Sequence, residues 1–347
     1  MLSETTRTVP ISRLTALFGA VMLGAGLLAG TSAHAGSDTL TVYSGQHEQT
    51  VDQLVAEFQK QTGITVRVRT GEGPQLANQL LTEGSASPAD VYFTENSPEL
   101  QLLAGKGLLA PTDPATLAQV PAKYNSPQGL WLGVLARESV LAYNTTQIPA
   151  GSLPPSVLDL ATPAWKGKVG IAPLDADFLP LVGAVAAIKG QAAALQWLKG
   201  LEDNAQTFED DEGLVAAVDR GAVATGIVNN YYWERLAQQN GAARMHSAIC
   251  HFPNGDVGAV VNVSGAAVLK SSRHADAAQR FLAFLVSAPV QEALGRSNVT
   301  FEYPLRPGVA ANPALKPLAQ LNPPAITWTG LGDDSQAVTL LRQAGLL

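Results

Sequence analysis

Four side chains with hard donor atoms stand just beyond runs that read as β-strands. His47 follows residues 39–45, Glu95 follows residues 90–94, and the adjacent Tyr231 and Tyr232 follow residues 224–228. In open α/β sheets the ligand crevice lies outside the carboxyl ends of the strands, so these four can face one cleft. One imidazole, one carboxylate and two phenols suit a hard trivalent cation such as Fe(III). Glu95 and two phenolates together carry −3, and hard ions prefer oxygen to sulfur. A free phenol has a pKa of about 10, so the cation must pull the protons off. Binding should then release protons and weaken in acid. Zinc would draw more His or Cys, and calcium more carboxylates and carbonyls. Each residue also has an ordinary reading. His47 can be a loop or core residue, the Tyr-Tyr-Trp run can be packing at a helix start, and Glu95 can favour the following helix N-terminus through its dipole.

The elements that would position these residues follow from periodicity. Residues 39–45 read as a strand ended by Gly. Val51, Leu54, Val55 and Phe58 share one helical face over about 48–61. Thr62-Gly63 stops that helix, residues 64–68 alternate as a strand, and Leu76, Leu80 and Leu81 mark a second helix before the strand at 90–94. This β-α-β-α-β order predicts a parallel sheet with right-handed crossovers. Residues 111–129 read as loop, 131–135 and 140–144 as two consecutive strands, and 153–156 as a loop leading to a helix start at Val157. A second α/β unit has a strand near Gly170 and helices at about 178–189, 191–200 and 212–220. Its strand at 224–228 leads into a helix from Asn230. Residues 259–263 read as a strand and 275–285 as a helix. There is no internal repeat and no low-complexity stretch.

The chain has 347 residues, enough for two α/β lobes, with 46% hydrophobic and 15% charged residues. Its net charge of −7 and the lack of a basic run argue against nucleic acid as a partner. Residues 1–35 read as a secretory signal. Arg7 and Arg13 precede or open an apolar stretch from Leu14 to Leu28, and Ala33-His34-Ala35 is a small-residue cleavage pattern. Cleavage after about Ala35 leaves 20 basic and 28 acidic residues, a net charge of −8. The single cysteine, Cys250, excludes an intramolecular disulfide and a thiolate zinc cluster. It lies in a strand-like run, where a buried small hydrophobe is the plainer reading than a nucleophile paired with His251.

The local sequences around the four residues resemble the periplasmic ferric-ion-binding proteins of bacterial ABC importers, the bacterial transferrin family. Tyr43-Ser44-Gly45-Gln46-His47 resembles the motif whose terminal His ligates iron. Residues 89–95, Ala-Asp-Val-Tyr-Phe-Thr-Glu, resemble the motif ending in the Glu ligand, and Asn229-Asn230-Tyr231-Tyr232-Trp233 the paired-tyrosine signature. Further similar runs are 161–168, 197–201, 264–270 and Glu302-Tyr303-Pro304-Leu305-Arg306, in order along nearly the whole mature chain. The resemblance implies an α/β, two-lobed type II periplasmic-binding-protein fold with a strand hinge and the ligand in the inter-lobe cleft. The lobes are expected at 36–137 plus about 262–305, and at 138–261 plus about 306–347. It implies His47, Glu95, Tyr231 and Tyr232 as metal ligands. It also implies a monomeric periplasmic carrier, with an inner-membrane ABC importer permease as partner.

Family members with this ligand set complete the coordination of Fe(3+) with an exogenous anion, phosphate or carbonate, and a water. This chain departs there. The small uncharged turn that holds the anion corresponds to Asp175-Ala176-Asp177, Asp211 stands where an Asn is expected, and Asn96 where a Gln is. Asn229 and Arg306 remain as anion or supporting partners. Two carboxylates would repel phosphate unless one is protonated or a metal lies between. Asp175 or Asp177 replacing the anion is one expectation, and both pointing to solvent the other. Two rival functions stay open: a type II binding protein for a polyamine, sugar or organic anion, and a secreted enzyme. No Gly-x-Ser-x-Gly elbow, His-Glu-x-x-His or P-loop supports the latter, and Gly71-Glu72-Gly73 lacks the third Gly of a dinucleotide fingerprint.

Overall fold

The alternation in Thr39–Gly45 (β1) buries Leu40 and Val42 in the first core of the computed structural model, which describes residues 39–347. The expected signal at 1–35 lies outside the described residues. β1 pairs in parallel with β2 (Thr65–Thr70) on one side and β3 (Val91–Thr94) on the other. The crossovers are α1 (Glu48–Thr62) and α2 (Gly73–Glu83). Helix α1 buries Val51, Leu54, Val55 and Phe58 and stops at Gly63, whose φ of 71° is open to Gly without a Cβ penalty. Phe58 meets Phe281 edge-on at 5.0 Å. Burying such a ring contributes roughly 1.5–3 kcal/mol, and Phe58→Ala would cost about 3–5 kcal/mol. α3 (Ser97–Gly105) follows β3, and the short α4 (Pro114–Leu117) interrupts the loop stretch before Trp131.

The expected pair of strands at 131–135 and 140–144 is one continuous strand, β4 (Leu132–Asn144), with a register shift between Gly133 and Leu135. The polar run Arg137-Glu138-Ser139 reads as a break in sequence. Here all three residues are buried and the strand continues because the two charged side chains find partners. Arg137 pairs with Asp177 and Glu302, and Glu138 with His251. The first half of β4 pairs with β9 (Val261–Val268) and β10 (Tyr303–Pro304). The second half pairs with β7 (Thr225–Asn229) and β8 (Ser247–Cys250). β9 also pairs with β3, so β9 and β4 join the first parallel unit to the second.

The second unit places β7 beside β5 (Val169–Ile171) and β5 beside β6 (Ala205–Thr207), both in parallel. The full strand order is β2-β1-β3-β9-β4-β7-β5-β6. Its helices are α5 (Phe178–Lys189), α6 (Gln191–Asn204), α7 (Asp211–Asp219) and α8 (Asn230–Asn240). The helix start expected at Val157 is a single 3-10 stretch, Val157–Ala161, capped by Ser156. α9 (Ala275–Leu285) and α10 (Ala288–Gly295) return to the first core. The C-terminal segment divides its packing. Leu315 and Leu321 join the first core, while α12 (Ser335–Ala344) packs Leu340 and Leu341 into the second. Between them α11 (Trp328–Leu331) sets Trp328 6.2 Å from Trp131, and its Leu331 carbonyl lies where a Cβ on Gly183 would come within 2.7 Å. Among the described residues no helix is long and apolar enough to cross a membrane.

Candidate metal centre

All four sequence-selected donors reach one place. His47 is the residue before α1, and Glu95 leaves β3 one residue before the N-cap of α3. Tyr231 and Tyr232 lie in the first turn of α8, directly after β7. Asn230 holds that turn: its Oδ1 accepts the Glu138 amide at 2.9 Å and its Nδ2 donates to the Phe301 carbonyl at 3.1 Å. The two phenol rings therefore stand 4.2 Å apart, and the His47 ring meets them edge-on at 5.1 and 6.3 Å. His47 Nδ1 lies 3.2 Å from Glu95 Oε1, and the Tyr231 hydroxyl donates to Glu95 Oε2 at 3.3 Å. Among the described residues no three His, Cys, Asp or Glu form a metal-holding group. Any cation here would depend on the phenols.

Asp177, the N-cap of α5, is the hub of this cluster. Its Oδ2 accepts from the Tyr231 hydroxyl at 2.5 Å and from the Tyr232 hydroxyl at 3.2 Å. Its Oδ1 accepts from Arg137 at 3.2 Å. Asp175 lies behind it, with Oδ1 on the Asp177 amide at 3.0 Å and Oδ2 on the Asp211 amide at 3.1 Å. The solvent-facing alternative does not fit Asp177, which is buried, while Asp175 is half-buried at the edge of the cleft with each carboxylate oxygen accepting from a backbone amide. Asn229 lies beside them, and its side-chain and backbone donors act to lower the Asp177 and Asp211 pKa respectively.

Arg306 does not belong to this cluster. Its guanidinium donates to Gln119 and to the Val286 carbonyl at 2.7 Å, and it lines a separate cavity with Pro121 and Tyr124. The arginines that do reach the site, Arg137 and Arg235, were missed. Arg137 is fully buried and also donates to Asn96 Oδ1 at 2.8 Å, which accepts from Asn262 of β9 as well. A charged residue inside an apolar strand run was the available signal. Arg235 donates to His47 Nε2 at 2.9 Å and lies 4.5 Å over the Tyr231 ring. Nothing in its helical surroundings marks it in sequence. Cys250 is half-buried with its sulfur toward the His251 carbonyl, and His251 is bonded to Glu138, so the two form no nucleophile pair.

Burial dominates the electrostatics. It pushes both phenols well above their usual range, with the Asp177 carboxylate adding to the effect. Glu95 is raised well above the usual carboxylate range by burial and then by Asp177. Asp175 is raised to about 7 by the same two causes, and Asp211 well above its usual range by burial and Asp175. Asp177 goes the other way. Burial opposes its charge, yet Arg137 and the phenol donors hold its pKa below the ordinary value. Asp177 is thus held toward its charged form, while burial pushes its carboxylate neighbours toward the protonated one. His47 is lowered to about 3 by burial and by Arg235, so its imidazole is neutral and able to donate a lone pair.

Residues 53–323 match the family model of the bacterial extracellular solute-binding proteins. Over 96% of this chain and 99% of the relative, the chain is 39% identical to the Fe(3+)-binding periplasmic protein of Serratia marcescens. It is 38% identical to the major ferric iron-binding protein of Neisseria meningitidis serogroup B, over 94% and 97%. The crystal structure of iron-bound HitA from Pseudomonas aeruginosa superposes with a TM-score of 0.85 at 45% identity, covering 89% of this chain and all of that one. The two parallel units joined through β4 and β9 are the lobes of the type II periplasmic-binding-protein fold, and the chain belongs to the bacterial extracellular solute-binding protein family.

Proposed function

We propose that this chain captures ferric iron as cargo between its two lobes and presents it to the permease of an ABC importer. The observation that carries this reading is the convergence of two phenols, a carboxylate and a neutral imidazole from three separate strand ends. That donor set matches a hard trivalent ion, and the ferric-binding names of the relatives point the same way. His47 and Glu95 belong to the lobe built from 36–137 and about 262–305. Tyr231 and Tyr232 belong to the lobe built from 138–261 and about 306–347. Ligands on both sides make the closed state the tighter binder, so iron draws the lobes together. The protein works as a monomer in the periplasm after removal of a signal ending near Ala35.

Asp177 stands in for the exogenous phosphate or carbonate of related sites. It already touches both phenol oxygens, and Arg137 behind it holds it ionised. Glu95, Asp177 and two phenolates carry −4, and Arg137 returns +1, which leaves −3 opposite Fe(III). A water can complete the shell. The test is a ferric titration in phosphate-free and carbonate-free buffer, read as the visible tyrosinate-to-iron band and as metal content. Full colour with one iron per chain is expected. Colour that develops only on adding phosphate would remove Asp177 from this role, and no colour under any condition would remove the iron site.

A further inference from the structure

The cluster opens into a cavity of about 490 Å³ whose chemistry is one-sided. Eight of its nineteen lining residues are carboxylates, and among the described residues that line it there is no Lys or Arg. Glu48, Glu72 and Glu99 stand on one lobe, and Asp175, Glu209 and Glu212 on the other. This is the reverse of what the backbone alone would make. Six helices, α1, α2, α3, α5, α7 and α8, begin around this cleft. Helix N-termini favour anions through their free amides and dipoles. Here a carboxylate of the chain stands beside five of the six, and that of Asp210 accepts from the Gly213 amide of α7. Glu48 sits in the first turn of α1 and Glu99 in that of α3, while Glu72, Asp177 and Asp210 are the N-caps of α2, α5 and α7. An arriving anion would meet a mouth that carries Glu48, Glu72, Glu209 and Asp210 and, among its described lining residues, no Lys or Arg.

Glu99 shows separately that the cavity is built for a donor or a cation. It is only 3% exposed, yet it lines the cavity. Its Oε2 accepts from the Tyr92 and Thr94 hydroxyls, while Oε1 has no hydrogen-bond partner. A buried acceptor left unmatched is costly unless something supplies a proton donor. Water bound to a trivalent metal ion is a strong donor of that kind.

We infer that the cleft takes its iron as a cationic hydrated or hydroxo ferric species and turns away anionic ferric chelates. This rests on the ferric reading above and adds the charge class of the cargo to it. The acidic mouth raises the local concentration of cations and repels anions, an effect that salt weakens.

The test is stopped-flow loading of the full mature chain from two iron sources, followed by native mass spectrometry. One source is ferric chloride delivered from an acid stock into excess protein, and the other is ferric dicitrate. Loading from the chloride should be fast and should slow as salt is added. Loading from dicitrate should be at least about tenfold slower and should quicken with salt. The loaded mass should be protein plus one iron, without citrate. A variant carrying Glu72→Gln, Glu209→Gln and Glu212→Gln, all at exposed positions, should narrow the ratio between the sources and flatten both salt dependences. A protein–iron–citrate complex, equal salt dependence for both sources, or an unchanged ratio in the variant would each overturn the inference while leaving the iron site standing. Failure of both sources to raise a tyrosinate band would bring down the ferric reading and this inference with it.

Discussion

The guanidinium of Arg235 donates to Nε2 of His47 at 2.9 Å, and this contact settles the imidazole tautomer. Arginine has only donors, so Nε2 must accept, and the ring proton sits on Nδ1, where it points at Glu95 Oε1 3.2 Å away. The free lone pair of the neutral ring is therefore turned toward an arginine.

A cation in the cluster must compete with Arg235 for that lone pair. Arg235→Met keeps the apolar stem over Tyr231 and removes the competing donor. A charge-assisted hydrogen bond of this kind is worth roughly 1.5–3 kcal/mol, so ferric affinity should rise about tenfold or more. The His47 pKa should also move up from about 3, since the arginine charge is one of the causes holding it there. Chelator competition and imidazole NMR would check the two effects, and an unchanged or weaker affinity would mean that the contact does not limit binding.

Asp177→Asn tests the carboxylate at the hub. The variant keeps an acceptor for the phenols and the size of the side chain but loses the charge opposite Arg137. Removing one partner of a buried pair costs about 3–5 kcal/mol. Glu302 also faces Arg137, at 3.6 Å, and should hold the loss toward the lower end. The iron-free protein should melt earlier, and its ferric colour should become dependent on added phosphate or carbonate. A variant that melts normally and colours without any anion would show that Asp177 serves neither purpose.

Much of this architecture was legible because period and burial agree. Val51, Leu54, Val55 and Phe58 mark α1, and the strands on either side alternate, so the first unit and the position of His47 followed. The same holds for Tyr231 and Tyr232 after the short apolar β7. What stayed hidden depends on pairs distant in sequence. Arg137-Glu138-Ser139 reads as a break because nothing nearby offers a partner. The partners Asp177, Glu302 and His251 lie 40, 165 and 113 residues away. Arg306 reads as a site residue in sequence because it ends the family-like run Glu302-Tyr303-Pro304-Leu305-Arg306; Glu302 does reach Arg137, but four residues further on the chain has turned away toward Gln119.

The pH response of the iron-free protein should run opposite to that of iron binding. Burial raises Glu99 from its ordinary 4.5 to about 7, and Glu302 likewise to about 7. A carboxylate raised in this way stabilises the folded state while protonated. That contribution is complete below about pH 4.5 and is lost as pH rises through about 7. Glu99 should therefore lower thermal stability without iron between pH 5 and 8, by up to roughly 3 kcal/mol, while the neutral His47 works the other way below about pH 6.5. Glu99→Gln should flatten this slope, because Gln can accept from Tyr92 and Thr94 without titrating. Ferric affinity should increase over the same range, because both phenols must give up protons to the solvent. Melting curves with and without iron across that range would separate the two trends. A Glu99→Gln variant with the same pH slope as the parent protein would contradict the assignment of Glu99.

The two tyrosines should separate stability from iron capture. Tyr231 makes the shorter bond to Asp177, 2.5 Å against 3.2 Å, and it alone also donates to Glu95. Tyr231→Phe thus removes the one hydroxyl proton that buried Asp177 and half-buried Glu95 share, at about 1–3 kcal/mol for an unsatisfied acceptor. Tyr232→Phe removes a longer bond from Asp177, which keeps Arg137 and Tyr231. Without iron, Tyr231→Phe should be the less stable variant. With iron the difference should shrink, because each substitution deletes one anionic oxygen ligand of a trivalent ion. Changing residues that merely orient a ligand costs about 10–100-fold in metal affinity, so loss of a ligand should cost about a hundredfold or more in both variants, with a weakened charge-transfer band. Equal melting temperatures would argue that the hydrogen bonds to Asp177 carry little weight in the iron-free protein. Wild-type iron affinity in either variant would remove that phenol from the metal's coordination shell.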